Sequence, residues 1–305
     1  MSISPGPGLE PAAAARREFW SEYQPGLRST DAPVGSPEFF AEVEAHRYRL
    51  EPHIAELVRF GDWSGRDVLE AGCGIATDGM RFVRAGARYT GIDFSPTALS
   101  LAERRLELEG GTARFVRGSV SALPFPDASF DLVYSNGVIH HMPETGRAIG
   151  EFLRVLRPGG TAIVMVYHRA SFNFYVSVML VRRALAALLL VPGAEAAIAA
   201  VTGERRDVLQ GHRRLLREHG PRYLTDPVLF LSHNTDGPGN PLSKAYTSAG
   251  MRAAFAGFAG VRTDVRFLNL RAYPFGERLE RTRGARRLGS RVGWHLWIRA
   301  TKGPS

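Results

Sequence analysis

The stretch that most constrains this chain is Asp67-Val68-Leu69-Glu70-Ala71-Gly72-Cys73-Gly74, a short apolar run ending in two glycines one residue apart. A buried strand that opens into a glycine turn and then a helix lets backbone N–H groups approach a ligand at the edge of a parallel sheet. A helix is expected from this turn to about Ala85, with Gly86 capping its end, and Arg88 to Asp93 reads as a second strand. Asp93 then ends that strand 23 residues after Glu70, where a carboxylate can accept both hydroxyls of an adenosine ribose. A dinucleotide fingerprint would want a third glycine at position 77. Thr77 stands there, which argues against NAD.

The alternation continues. Ser95-Pro96 should start the next helix, since serine caps and proline is tolerated in the first turn. Thr112 to Val116 and Phe130 to Ser135 read as strands, Thr145 to Leu156 as a helix closing at Arg157-Pro158-Gly159-Gly160, and Thr161 to Val166 as a fifth strand. Later come a helix at Tyr246 to Phe258 and strands at Val261 to Phe267 and Gly293 to Ala300. The fold class expected is α/β, a Rossmann-like doubly wound sheet that is mixed at its C-terminal edge. Residues 1–66 form an N-terminal helical lid, with helical periodicity from Pro37 to Phe60. Residues 67–169 form the nucleotide-binding core, 170–245 a helical and loop cap over the substrate, and 246–305 the end of the core sheet.

Composition narrows the class further. A single cysteine, Cys73, excludes a disulfide framework and a cysteine-rich zinc site. His46 and His53 lack a metal-binding partner pattern, so no metal is expected. Met1 to Pro11 has neither the charged nor the apolar segment of a cleavable leader, so a cytoplasmic protein is expected. The net charge of +9 comes almost wholly from arginine and favours anionic partners. Arg278 to Arg291 holds six arginines against one glutamate, and Glu204 to Arg222 is also Arg/His-rich. Neither interleaves aromatics as a nucleic-acid module would, so a nucleic-acid partner is not expected. Phe174 to Leu190 is strongly apolar, but Arg182-Arg183 divides it and Pro192-Gly193 ends it, short of a span of about 20 residues. Helices capping a pocket are favoured over a membrane-surface segment.

Taken in order, Glu70-x-Gly72-x-Gly74, Gly91-Ile92-Asp93-Phe94-Ser95, Leu123-Pro124-Phe125, Phe130-Asp131-Leu132-Val133, His140-His141 and Arg154-Val155-Leu156-Arg157-Pro158-Gly159-Gly160 form a series. It resembles the class I S-adenosylmethionine methyltransferases, particularly their small-molecule and quinone-type branch, over about Asp67 to Val166. The resemblance implies S-adenosylmethionine as cofactor. Glu70, Gly72, Cys73 and Gly74 would then lie under its methionine end, Asp93 on the ribose, Phe94 against adenine, and Asn136 beside the methyl. Ser119 stands where relatives usually carry an acidic residue for the adenine amino group, so recognition would lean on the Val120 backbone. Ala76 stands at the usual third glycine, tolerable unless that position needs φ > 0.

A sulfonium methyl is already activated, so an acceptor must mainly be aligned with it, with a base where its proton has to leave. His140 and His141 follow the fourth strand and His168 the fifth, which makes them the candidate bases. Adjacent residues, His140 and His141 are expected to point different ways. Tyr167, Tyr48 and the polar run His233 to Lys244, with His233, Asp236 and Lys244, are candidates for holding substrate; Arg47 and Tyr48 would close from the lid. The expected function is methyl transfer to a small organic acceptor, anionic or partly apolar. The alternatives are a membrane-associated quinone or lipid methyltransferase and an RNA-binding protein on the same fold.

Overall fold

Buried apolar strands separated by amphipathic helices produce one sheet in the computed structural model, which describes residues 18–21, 26, 29–270, 273 and 275–304. Strands β1 (Asp67–Ala71), β2 (Arg88–Asp93), β3 (Ala113–Arg117), β4 (Phe130–Asn136) and β5 (Leu156–His168) pair in parallel. The two-residue β6 (Ala245–Tyr246) extends the end of β5, while β8 (His295–Thr301) runs antiparallel to both β5 and β7 (Gly260–Arg266). The order β3-β2-β1-β4-β5-β8-β7 reverses direction between β1 and β4. That reversal opens the crevice in which such sheets hold ligands, at the carboxyl ends of the strands.

Local chemistry sets the helix starts. Helix α1 (Pro37–Leu50) begins where the Ser36 hydroxyl accepts the Phe39 N–H, and it buries Phe39, Phe40 and Val43 against Ile75 of the glycine loop. The lid is not one long helix: Pro52, lacking an N–H, separates α1 from α2 (His53–Val58). Helix α3 (Gly79–Arg84) follows the glycine loop. Helix α4 (Pro96–Glu109) is capped by the Ser95 hydroxyl on the Ala98 N–H at 3.2 Å, and α5 (Thr145–Val155) buries Ala148, Phe152 and Val155 at helical spacing. Arg157 to Gly160 forms a bulge at the start of β5: the pairing jumps from Phe130↔Leu156 to Leu132↔Thr161. Gly160 must be glycine here, because a Cβ would stand 2.9 Å from the Arg157 carbonyl oxygen.

The cap begins with a π-helix, Asn173–Arg182, that runs into α6 (Arg183–Leu188) and continues through α7 (Ala194–Thr202), α8 (Arg206–His219), α9 (Arg222–Thr225) and α10 (Pro227–His233). It has its own core, with Phe174, Val178, Tyr223 and Phe230 packed alongside Phe267 and Trp294 of the sheet's edge. Tyr246 lies in β6 rather than in a helix, because Thr247 caps α11 (Ser248–Ala254) by accepting the Gly250 N–H at 3.1 Å. The arginine-rich Arg278–Arg291 stretch folds into α12 (Gly276–Glu280) and α13 (Arg283–Val292).

Candidate functional site

The loop leaving β1 is held open by its own backbone. Gly72 and Gly74 have φ of +81° and +52°. A Cβ on Gly72 would stand 2.4 Å from Val138, whereas beside Gly74 there is open space. Ala76 also has φ of +56°, so the position does require the left-handed region and an alanine holds it, a strain of about 1–2 kcal/mol. Cys73 is buried.

Asp93 closes the loop from β2. Its carboxylate accepts the N–H groups of Gly74 and Ser95, each at 2.9 Å, and remains half-buried at the strand end with Phe94 beside it. Burial pushes its pKa up, opposed by the N–H groups of Ser95, Gly74 and Phe94. Glu70 is buried beneath the loop and accepts the Tyr89 hydroxyl at 2.5 Å. Burial, then the neighbouring Asp78, push the Glu70 pKa well up. Ser119 is exposed and its hydroxyl is shared with that of Ser121 at 2.9 Å, while Val120 is buried.

Asp78 was not legible as a site residue, yet it gathers more partners than any of these candidates. Arg47 donates two hydrogen bonds to it, Tyr48 one at 2.7 Å, Tyr134 one at 2.7 Å and Asn136 one at 3.2 Å. Burial alone would raise its pKa; Arg47, Tyr134 and Tyr48 outweigh that and hold it low. Asn136, Arg47 and Tyr48 thus meet on one carboxylate, and the Arg81 guanidinium covers the Tyr48 ring at 3.5 Å. The only signal in the sequence was a carboxylate amid small and apolar residues just past the glycines.

A second cluster forms where β4 and β5 end. His140 and His141 do not diverge: their rings lie 4.1 Å apart, and both pack against Tyr167 at 3.9 Å and 5.8 Å. Both ring nitrogens of His140 are buried without a hydrogen-bond partner, and burial, then His141 and His295, push its pKa well down. His141 Nδ1 donates to the Leu242 carbonyl at 2.8 Å, leaving Nε2 to face Asp236 Oδ2 at 3.6 Å. Burial lowers the His141 pKa, and Asp236 then pulls it back up. The Tyr167 hydroxyl bonds both oxygens of the same Asp236, at 3.0 Å and 3.1 Å. Two tryptophans complete the cluster: Trp20 lies 4.6 Å from the His141 ring, and Trp294 stacks on Tyr167 at 4.3 Å.

The polar run after α10 is pinned by its own hydrogen bonds. Asn240 and Ser243 are fully buried; Asn240 donates to Ser243 and Asp236, and the Ser243 N–H donates to Ser232. Three candidates turn elsewhere. His168 bonds the Gly293 carbonyl at 3.0 Å, His233 packs with Tyr223 and His219 inside the cap, and the Lys244 ammonium bonds the Pro143 carbonyl at 2.5 Å. Among the described residues, no group of three or more His, Cys, Asp or Glu side chains is disposed to hold a metal ion.

Residues 69–164 match the family model described as a methyltransferase domain. Over 99 residues the chain is 40% identical to the phthiotriol/phenolphthiotriol dimycocerosates methyltransferase of Mycobacterium leprae, covering 32% of this chain and 36% of that protein. It is 34% identical over 132 residues to the fatty-acid O-methyltransferase of Mycolicibacterium smegmatis, covering 43% and 47%. The chain therefore spans less than half the length of these relatives. Among solved structures, magnesium protoporphyrin IX methyltransferase from Synechocystis PCC 6803 with bound SAH aligns over 96% of this chain and all of that one, with a TM-score of 0.53 at 15% identity. A 4+2 cyclase aligns over 98% of this chain and 95% of its own with a TM-score of 0.50 at 18% identity, so the shared fold alone does not decide the chemistry. Residues 69–164 thus match a methyltransferase domain, and the sheet built around them has the fold of these solved structures.

Proposed function

We propose that this protein transfers a methyl group from S-adenosylmethionine to an ionisable O–H of a small, partly apolar acceptor, with His141 as base and Asp236 beside it. The observation that carries the reading is the 3.6 Å gap between His141 Nε2 and Asp236 Oδ2. That gap is too long for a hydrogen bond, so Nε2 keeps a lone pair that an acceptor's O–H can donate to, with the carboxylate alongside. The relatives' names support the acceptor class: one is a fatty-acid O-methyltransferase and another acts on phthiotriol dimycocerosates.

The residues at the β1 and β2 ends fit the donor. Asp93 offers a half-buried carboxylate where a ribose would lie, Gly74 leaves open space, and Glu70 is a buried carboxyl with a phenol for a partner, suited to a cationic ammonium. When bound, S-adenosylmethionine supplies a methyl already activated on a sulfonium. The chain's own work is alignment, exclusion of water and handling one proton. The Leu242 carbonyl holds the Nδ1 proton of His141, so Nε2 carries the lone pair. Burial keeps that imidazole neutral and ready to accept; once it takes the acceptor's proton, the Asp236 carboxylate faces the new charge. Tyr167 fixes the carboxylate, and His140 forms a wall for both rings. His168 is the weaker candidate for a base: its Nδ1 is anchored to Gly293 much as that of His141 is to Leu242, but among the described residues no carboxylate faces its ring as Asp236 faces His141.

The test is a pooled screen of fatty acids, hydroxylated lipids, quinols and polar amines with purified protein and S-adenosylmethionine, read as a mass gain of one methylene. Methylation of an apolar O–H acceptor is expected. Methylation confined to polar amines would reject this acceptor class.

A further inference from the structure

The corner between α6 and α7 departs from the burial pattern of the rest of the cap. Leu188, Leu190 and Val191 are 51%, 65% and 55% exposed, whereas Leu189 is buried in the cap core. Leu189 and Leu190 line an open groove of about 390 Å³ whose other walls are Leu216, Arg213 and Arg217 of α8. Arg213 and Arg217 are four residues apart, so they share one face of that helix. Arg213 lies 3.4 Å from Glu195, and the Arg217 head, which is exposed, reaches among the described residues only the Arg213 carbonyl, at 3.5 Å.

Single exposed leucines need no explanation, but a contiguous aliphatic corner with a cationic wall does. A second copy of the chain packed symmetrically through this corner would set the same two arginines against their counterparts, a like-charge arrangement that disfavours it. A bilayer surface with anionic headgroups suits both features. Leucine and valine enter the acyl boundary, while guanidiniums pair with lipid phosphates and rest their stems on the apolar walls. The chain's net charge of +9 adds a long-range attraction to such a surface.

We propose that the α6–α7 corner, with Arg213 and Arg217, docks the protein on an anionic lipid bilayer. No helix among the described residues is long and apolar enough to cross a membrane, so the attachment is interfacial. The docking helix α8 also touches the acceptor loop: Gly211 approaches Pro238, two residues past Asp236, so closely that a Cβ would stand 2.6 Å from it. The proposal does not rest on methyl transfer, because it concerns binding alone.

Co-sedimentation tests it, with vesicles of phosphatidylcholine alone and of phosphatidylcholine mixed equally with phosphatidylglycerol. The full chain is compared with Leu190→Asp/Val191→Asp and with Arg213→Gln/Arg217→Gln. All substituted side chains lie at the groove rim or are exposed, and unchanged thermal melting verifies the fold. The wild-type chain is expected to bind the anionic vesicles, more weakly as salt rises, and each double variant to bind them roughly tenfold or more weakly. No binding at low salt, equal binding to neutral vesicles, or binding that survives Leu190→Asp/Val191→Asp would overturn the proposal. So would light scattering that finds a dimer dispersed by these variants without any vesicle binding.

Discussion

Arg47 and Asp78 form a two-pronged ion pair, Nε to Oδ1 at 2.9 Å and Nη2 to Oδ2 at 2.8 Å, which ties the first lid helix to the loop after the glycine turn. The pair joins the lid to β4 as well, because Tyr134 and Asn136 share the same carboxylate. Asp78→Ala would leave the Arg47 guanidinium and the buried Tyr134 hydroxyl without their acceptor. A loss of about 3 kcal/mol in urea unfolding is expected, with faster hydrogen exchange in α1. Wild-type stability in this variant would show that the lid is held by Phe39, Phe40 and Val43 alone.

On the acceptor side, His141→Gln should lower kcat by about 10²–10⁴-fold and leave cofactor affinity nearly unchanged. Burial sets the direction of the pH dependence. The His141 pKa lies below the ordinary 6.5, so the base form persists below that pH and activity falls only as pH drops through the lowered value. Asp236 raises it more than the Leu242 carbonyl does, so Asp236→Asn should shift the acid limb of kcat/KM further down as well as reducing the rate. A wild-type limb above 6.5 would assign the proton to another group.

Two buried histidines should make the fold acid-sensitive. Burial lowers the His53 pKa to about 3, helped by His295, and the His212 pKa to about 4, helped by Arg182 and His233. Unfolded, each would protonate near 6.5, so the unfolded chain binds the extra protons. Stability is therefore full above about pH 6.5 and declines toward pH 4, by on the order of 3 kcal/mol per histidine at most. Thermal melting across that range measures it, and a flat profile would mean that these rings are protonated in the native state.

Much of the frame was legible because its causes are local. The Ser95 cap, the β2 strand ending at Asp93 and the helix from Thr145 each follow from neighbours within a few turns or one strand. The Asp78 hub was hidden because its donors come from positions 47, 48, 134 and 136, which only the tertiary fold assembles. Ala76 shows a second kind of limit: residue type alone does not reveal φ, and the backbone of this loop imposes +56° on an alanine. The pairing of His141 with Asp236 spans a helical cap and depends on how the Asn240–Ser243 network sets the loop.

Cofactor recognition should be unequal along the adenosine. Asp93→Ala is expected to weaken S-adenosylmethionine binding by about 1.5–3 kcal/mol for each lost ribose hydrogen bond. Ser119→Ala should cost less, since its exposed hydroxyl is already shared with Ser121 and is neutral. Equal losses in two folded variants would mean that the ribose lies elsewhere.

The central claim is that the Gly72–Gly74 loop and Asp93 serve S-adenosylmethionine as methyl donor, and isothermal titration calorimetry of the full chain tests it most directly. Binding of S-adenosylmethionine or its demethylated product in the micromolar range is expected, on the order of 7–8 kcal/mol. Failure of both to bind, with NAD binding in their place, would contradict it.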